Sequence, residues 1–156
     1  METLNSKKSV SNASYSVAIL FAMLTILLNT IPQNTIVIFI ALAIHFILFP
    51  VVANLPAVSW ARVSGYAWLV IDNMVSVAQL NGADEQLVMS LRLGGHVFAA
   101  IWIVSVSLRG NTIMKIVGIL LAIILGGYSL VAPWVPEWVL YPSMICWLFG
   151  FTFPGK

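Results

Sequence analysis

Six stretches of this chain are each long and apolar enough to cross the hydrocarbon core of a bilayer as a helix, which takes about 17–25 residues. They cover residues 14–31, 34–54, 58–80, 86–108, 112–132 and 136–153. The first, second and fifth are nearly unbroken Ile, Leu, Val and Ala. Of the 156 residues 61% are hydrophobic and 8% charged, against roughly 25% charged in an average soluble domain. Seven basic and five acidic side chains cannot cover the outside of a water-soluble body of this size. The same composition excludes other classes. A net charge of +2 gives no basic face for nucleic acid, and one cysteine gives no disulfide scaffold. A mean hydropathy of +1.02 is incompatible with a disordered chain.

The breaks between the stretches carry turn chemistry: Pro32-Gln33, Leu55-Pro56-Ala57, Asn81-Gly82-Ala83-Asp84-Glu85, Arg109-Gly110-Asn111 and Pro133-Trp134-Val135. Turns this short set each helix antiparallel beside the one before it. The expected fold is an all-α integral membrane protein, a six-transmembrane-helix up-down bundle with very short loops. A polar tail, residues 1–13, precedes a single transmembrane domain over 14–156, and no internal repeat is visible. The third stretch carries Arg62, Asp72, Asn73 and Gln79, so it would insert poorly without neighbours. The sixth is short and holds Pro142, which suits a tilted or partly re-entrant segment. Lys7 and Lys8 before an apolar run imitate a signal peptide, but no small-residue cleavage site follows, and the run reads as an uncleaved first helix.

Orientation follows from the short-loop cations. Lys7, Lys8, Arg62, Arg109, Lys115 and Lys156 fall on one side, and Asp84, Glu85 and Glu137 on the other. Both termini are therefore expected in the cytoplasm. Trp134, Trp138 and Tyr141 lie at the outer interface and Trp60 at the inner one, as an aromatic belt would. The glycosylation pattern Asn12-Ala13-Ser14 then faces the cytoplasm and carries no weight. Tiny loops and no organelle signal suit a bacterial inner membrane.

Ionisable groups inside hydrocarbon cost about 2.5–3.5 kcal/mol each on the insertion scale, so each asks for a reason. Four sit away from the helix ends: His45, Asp72, Arg92 and His96. At 1.5 Å per residue they lie roughly 9–16 Å below the outer edge, between the outer third and the midplane. On the third stretch Arg62, Gly65, Leu69, Asp72, Ser76 and Gln79 recur at steps of three or four, one polar stripe with Asn73 beside it. Arg92 and His96 share a face of the fourth. The five-residue turn between the two predicts an Asp72–Arg92 pair, whether as a functional site or merely to fix helix register. Small residues, Ser90, Gly94, Gly95 and Ala99 on the fourth helix and Gly118, Ala122 and Gly126 on the fifth, permit close helix approach. That approach serves packing within the chain or a homodimer face. Pro50 predicts a kink near the cytoplasmic end of the second helix, and the lone Cys146 reads as inert packing.

No nucleophile triad, H-E-x-x-H, C-x-x-C or P-loop is present, which argues against an enzyme. The expected function is binding or translocation of a small solute, ion or proton through Asp72, Asn73, Ser76, Gln79, Arg92 and His96, with no cofactor. In that reading Asp72 is the switchable carboxylate, Arg92 its counter-ion and His96 a proton relay. The first alternative is an accessory or structural subunit that meets another membrane subunit helix to helix. The second is a b-type haem protein with His45 and His96, at matching depth, as axial ligands and Arg92 near a propionate.

Overall fold

The computed structural model describes residues 35–140 continuously, together with residues 15, 16, 18–20, 22, 23, 26, 30, 142, 145 and 146. Every regular element among them is helical. Four long helices follow one another: α1 (Thr35–Asn54), α2 (Ser59–Leu80), α3 (Glu85–Ser107) and α4 (Thr112–Val131), and a 3-10 turn at Glu137–Leu140 succeeds them. These four run within a single residue of the second to fifth expected spans. The described residues between 15 and 30 are helical as well. About half of each of the first and sixth expected spans, with Lys7, Lys8, Tyr141 and Lys156, lies outside the described residues.

Three of the helices, α1, α3 and α4, are long and apolar enough to cross a membrane. The exception is α2, the helix that carries Arg62 and Asp72. Where the sixth span was expected to begin, the backbone makes the short 3-10 turn instead. Proline explains it: Pro136 and Pro142 bracket the turn, and the missing Pro142 N–H cannot continue an α-helical ladder from Trp138.

Each turn is built by its own residues. Gly82 sits at φ +73°, the left-handed position that ends a helix at little cost only for glycine. The Gly82 N–H then donates to Gln79 O and the Ala83 N–H to Ala78 O, closing α2. Two residues on, Asp84 Oδ1 accepts from the Gln86 and Leu87 N–H groups at 3.0 and 3.1 Å and opens α3. Asn111 opens α4 in the same way, its Oδ1 accepting from Met114 N at 2.9 Å. Between α1 and α2, the Val58 N–H donates to Ser105 Oγ of α3 at 3.3 Å, and Arg109 Nη1 donates to Ser105 O at 3.0 Å. One serine thus fastens two turns at the same end of the bundle.

Chain neighbours pack on one another, α2 against α3 most extensively. The antiparallel order places Arg62, Arg109 and Lys115 at one end and Asp84, Glu85 and Glu137 at the other. Trp60 is exposed at the basic end, and Trp134 and Trp138 at the acidic end. The distribution of polarity is the reverse of a soluble protein's. Ile36, Phe46, Ile113, Ile123 and Leu130 face outward, whereas Asp72, Ser76, His96, Ser105 and Ser107 are buried. Apolar outside and polar inside is what a hydrocarbon solvent selects.

Small residues set the helix spacing. A Cβ at Gly65 would lie 2.9 Å from Trp102 Cδ1 and 2.9 Å from Val52 Cγ1. The glycine therefore lets the fully buried Trp102 of α3 reach into the α1–α2 seam, where its ring lies 5.9 Å from that of Trp68. On α4, Gly118 and Ala122 are buried and a Cβ at Gly126 would meet Ala100 Cβ at 3.8 Å, so this stripe serves packing within the chain. Gly65→Ala is expected to lose about 1–3 kcal/mol through overpacking, read as a lowered Tm of the detergent-solubilised chain. Gly94→Ala, which meets open space on α3, is expected to leave Tm unchanged or raise it.

Candidate functional site

The buried face of α2 comprises Ala61, Gly65, Trp68, Leu69, Asp72, Val75 and Ser76, which follows the expected polar stripe. Asp72 is at its centre, about 12 Å in from the Leu80 end at 1.5 Å per residue, and only 6% exposed. Its carboxylate is solvated by side chains. Trp68, one turn back on the same face, donates its indole N–H to Asp72 Oδ2. His45 of α1 brings its Nε2 to the same oxygen at 3.2 Å. The imidazole also meets the Trp68 ring edge-on, centroids 6.1 Å apart and planes at 90°. Asp72 Oδ1 has no hydrogen-bond partner among the described residues, and neither has His45 Nδ1.

Helix α3 closes the other side. A Cβ at Gly95 would lie 3.2 Å from Asp72 Oδ1 and 3.3 Å from Ile71 Cγ2, tighter than most side-chain contacts, so glycine eases the close pass of the α3 backbone by the carboxylate. His96 is next in sequence, 7% exposed, with its ring 5.7 Å from that of Tyr128 on α4. His45, His96 and Arg92 are the charged or protonatable side chains near the Asp72 carboxylate.

The expected Asp72–Arg92 pair is replaced by a different one. Asp72 is paired with His45 across 3.2 Å, and Arg92 Nη2 donates to Gln79 Oε1 at 3.1 Å, nearer the acidic end. Register is the cause: Gly95, about 4.5 Å further along α3 than Arg92, is the residue that faces Asp72. Ser76 and Asn73 are tied to their own helix, the Ser76 hydroxyl donating to Asp72 O at 3.0 Å and Asn73 Nδ2 to Leu69 O at 2.8 Å. Of the six expected residues, Asp72 pairs outside the set with His45, His96 packs its ring on Tyr128, Gln79 and Arg92 bond each other nearer the acidic end, and Asn73 and Ser76 bond their own helix.

Sequence reasoning overlooked Trp68 and Tyr128 and gave His45 a different role. Trp68 was accessible from its spacing, four residues before Asp72 on one helix face. The haem alternative required His45 and His96 to offer ring nitrogens to one iron. In the structure His45 turns its Nε2 to Asp72, with Trp68 against the same ring, and His96 packs its ring on Tyr128. Among the described residues no group of three or more His, Cys, Asp and Glu side chains is placed to hold a metal ion. Cys146 is a free, exposed thiol outside the cluster.

Comparison of the chain with family models, curated proteins and solved structures gives no match, so the reading of the site rests on its own geometry. A double-mutant cycle checks the pairing. His45→Ala and Asp72→Asn are expected to couple by about 0.5–3 kcal/mol in unfolding free energy, and Arg92→Ala with Asp72→Asn by clearly less. A larger coupling in the second cycle would refute the His45–Asp72 assignment.

Proposed function

We propose that this chain is a six-span protein of a bacterial inner membrane, with both termini cytoplasmic, that binds or translocates a small solute, ion or proton through the cluster around Asp72. One observation carries this reading. A carboxylate buried among membrane-spanning helices keeps one oxygen without a partner, beside an imidazole with one bare nitrogen. Each buried group left unsatisfied costs about 1–3 kcal/mol, and hydrocarbon offers no water to offset it. A pair serving only to fix helix register gains nothing from that cost, whereas a site that must accept something does.

The orientation is supported by the segregation of Arg62, Arg109 and Lys115 from Asp84, Glu85 and Glu137. In a Cys146→Ser background, Leu108→Cys is expected to react with an impermeant maleimide only from the cytoplasmic side, and Asn81→Cys only from outside. The reverse pattern would invert the topology.

Function is tested with the full chain reconstituted in liposomes, by measuring uptake of protons, alkali cations and small organic solutes. An uptake lost in Asp72→Asn, in protein that keeps its helical circular dichroism, is the expected result. Uptake or binding indifferent to Asp72 would remove the site. A chain inert alone and purified only with another membrane subunit would be an accessory subunit instead.

A further inference from the structure

We propose that the ion handled at this site is a proton, and that the His45–Asp72 pair is the group that holds it. This inference rests on the reading just given and narrows it to one cargo. The pair is a continuous unit, His45 Nδ1, the ring, Nε2, Asp72 Oδ2 and Oδ1, with a bare acceptor at each end. Nε2 faces the carboxylate and Nδ1 has no partner among the described residues, so one added proton has a lone pair to take within the pair. One proton from bulk water then converts imidazole plus carboxylate, net charge −1, into imidazolium plus carboxylate or imidazole plus carboxylic acid, net charge zero. No covalent bond between heavy atoms changes and no co-reactant is needed.

Size and chemistry separate a proton from other cargo. The α3 backbone at Gly95 passes close to Oδ1, where an added Cβ would lie 3.2 Å from it, and among the described residues no three His, Cys, Asp and Glu side chains are grouped to hold a metal ion. A hard metal cation asks for about six oxygen ligands, and an organic solute asks for volume. A proton asks for one lone pair. The groups facing the pair are His45 from α1, Trp68 from its own helix, and Arg92 and His96 from α3, with Tyr128 of α4 against His96. Arg92 is held at Gln79, so the protonatable members are Asp72, His45 and His96, one on each of three helices.

Trp68 is a built-in reporter, since its N–H bonds Oδ2 and its ring touches His45. The full chain in detergent is titrated from acid to alkaline pH, following tryptophan fluorescence and the infrared carboxylic C=O band. The titration is run in sodium, potassium and choline chloride in turn. The expected result is a C=O component missing from Asp72→Asn, together with a fluorescence transition missing from Trp68→Phe. The midpoint should be the same in all three salts and shift by about one pH unit or more in His45→Gln. If Asp72→Asn fails to fold, His45→Gln, which keeps a donor for Oδ2, and Trp68→Phe carry the test. A midpoint that moves with sodium or potassium overturns the proton assignment in favour of a metal cation. So does a titration in which His45→Gln and Trp68→Phe change nothing. If that silence accompanies Asp72-dependent uptake of a solute or alkali cation in liposomes, only the cargo assignment falls. If uptake is silent too, the functional reading falls with it.

Discussion

Asp72 is buried among helices of which three are apolar enough to cross a membrane, and the packing of α1, α2 and α3 follows from how side chains solvate it. Moving Asp into the centre of a spanning helix costs about 2.5–3.5 kcal/mol, and a hydrogen bond to a charged group returns about 1.5–3. The two donors on Oδ2, the Trp68 indole and the His45 imidazole, are therefore about what is needed to offset the charge. One donor comes from α2 itself. The other must come from α1, which binds that helix to the site. The third wall is backbone, and Gly95 admits it. Helix α2 falls short of the apolarity needed to cross a membrane by itself, and the same contacts that solvate Asp72 explain how it is accommodated between two helices that do not.

Packing elsewhere obeys the same constraint. Ser105 accepts from Val58 N and lies under Arg109, closing the basic end, while Arg92 and Gln79 bond each other towards the acidic end. Between these contacts Asp72 Oδ1, His45 Nδ1 and Asn73 Oδ1 have no hydrogen-bond partner among the described residues. Trp102, fully buried and admitted by Gly65, fills the seam just beyond them.

Much of this was legible in the sequence. The four long helices coincide with expected runs, three of them apolar enough to cross a membrane, and Gly82, Asp84 and Asn111 mark ends that their side chains and φ angles go on to form. The periodicity of Gly65, Leu69, Asp72 and Ser76 identified the buried face of α2 before any packing was known. The partner of Asp72 was not legible in the same way. Spacing fixes which residues share a helix face, but the register between helices comes from where backbones approach, here at Gly95. The short turn to α3 favoured Arg92, yet α1 flanks α2 as well, and His45 lies about 15 Å along it at nearly the depth of Asp72. The 3-10 turn at Glu137–Leu140 was hidden for another reason: composition reads as a span there, and two prolines decide the local backbone.

The surroundings of Asp72 differ in its two directions along α2. Towards the acidic end, about 12 Å away, the same face carries Ser76 and Gln79, a polar side chain at nearly each turn. Towards the basic end come Trp68, Leu69 and the Trp102 ring packed over Gly65, all buried and apolar apart from two indole N–H groups, of which that of Trp68 is given to Asp72. A proton leaving the pair meets hydroxyl, amide and guanidinium groups on one side and a plug of aromatic bulk on the other. Under the proposed function the site is therefore open in polarity to the acidic face and closed to the basic one. Passage across the bundle then requires the Trp68–Trp102 contact to part, because no polar side chain on the buried face of α2 bridges it.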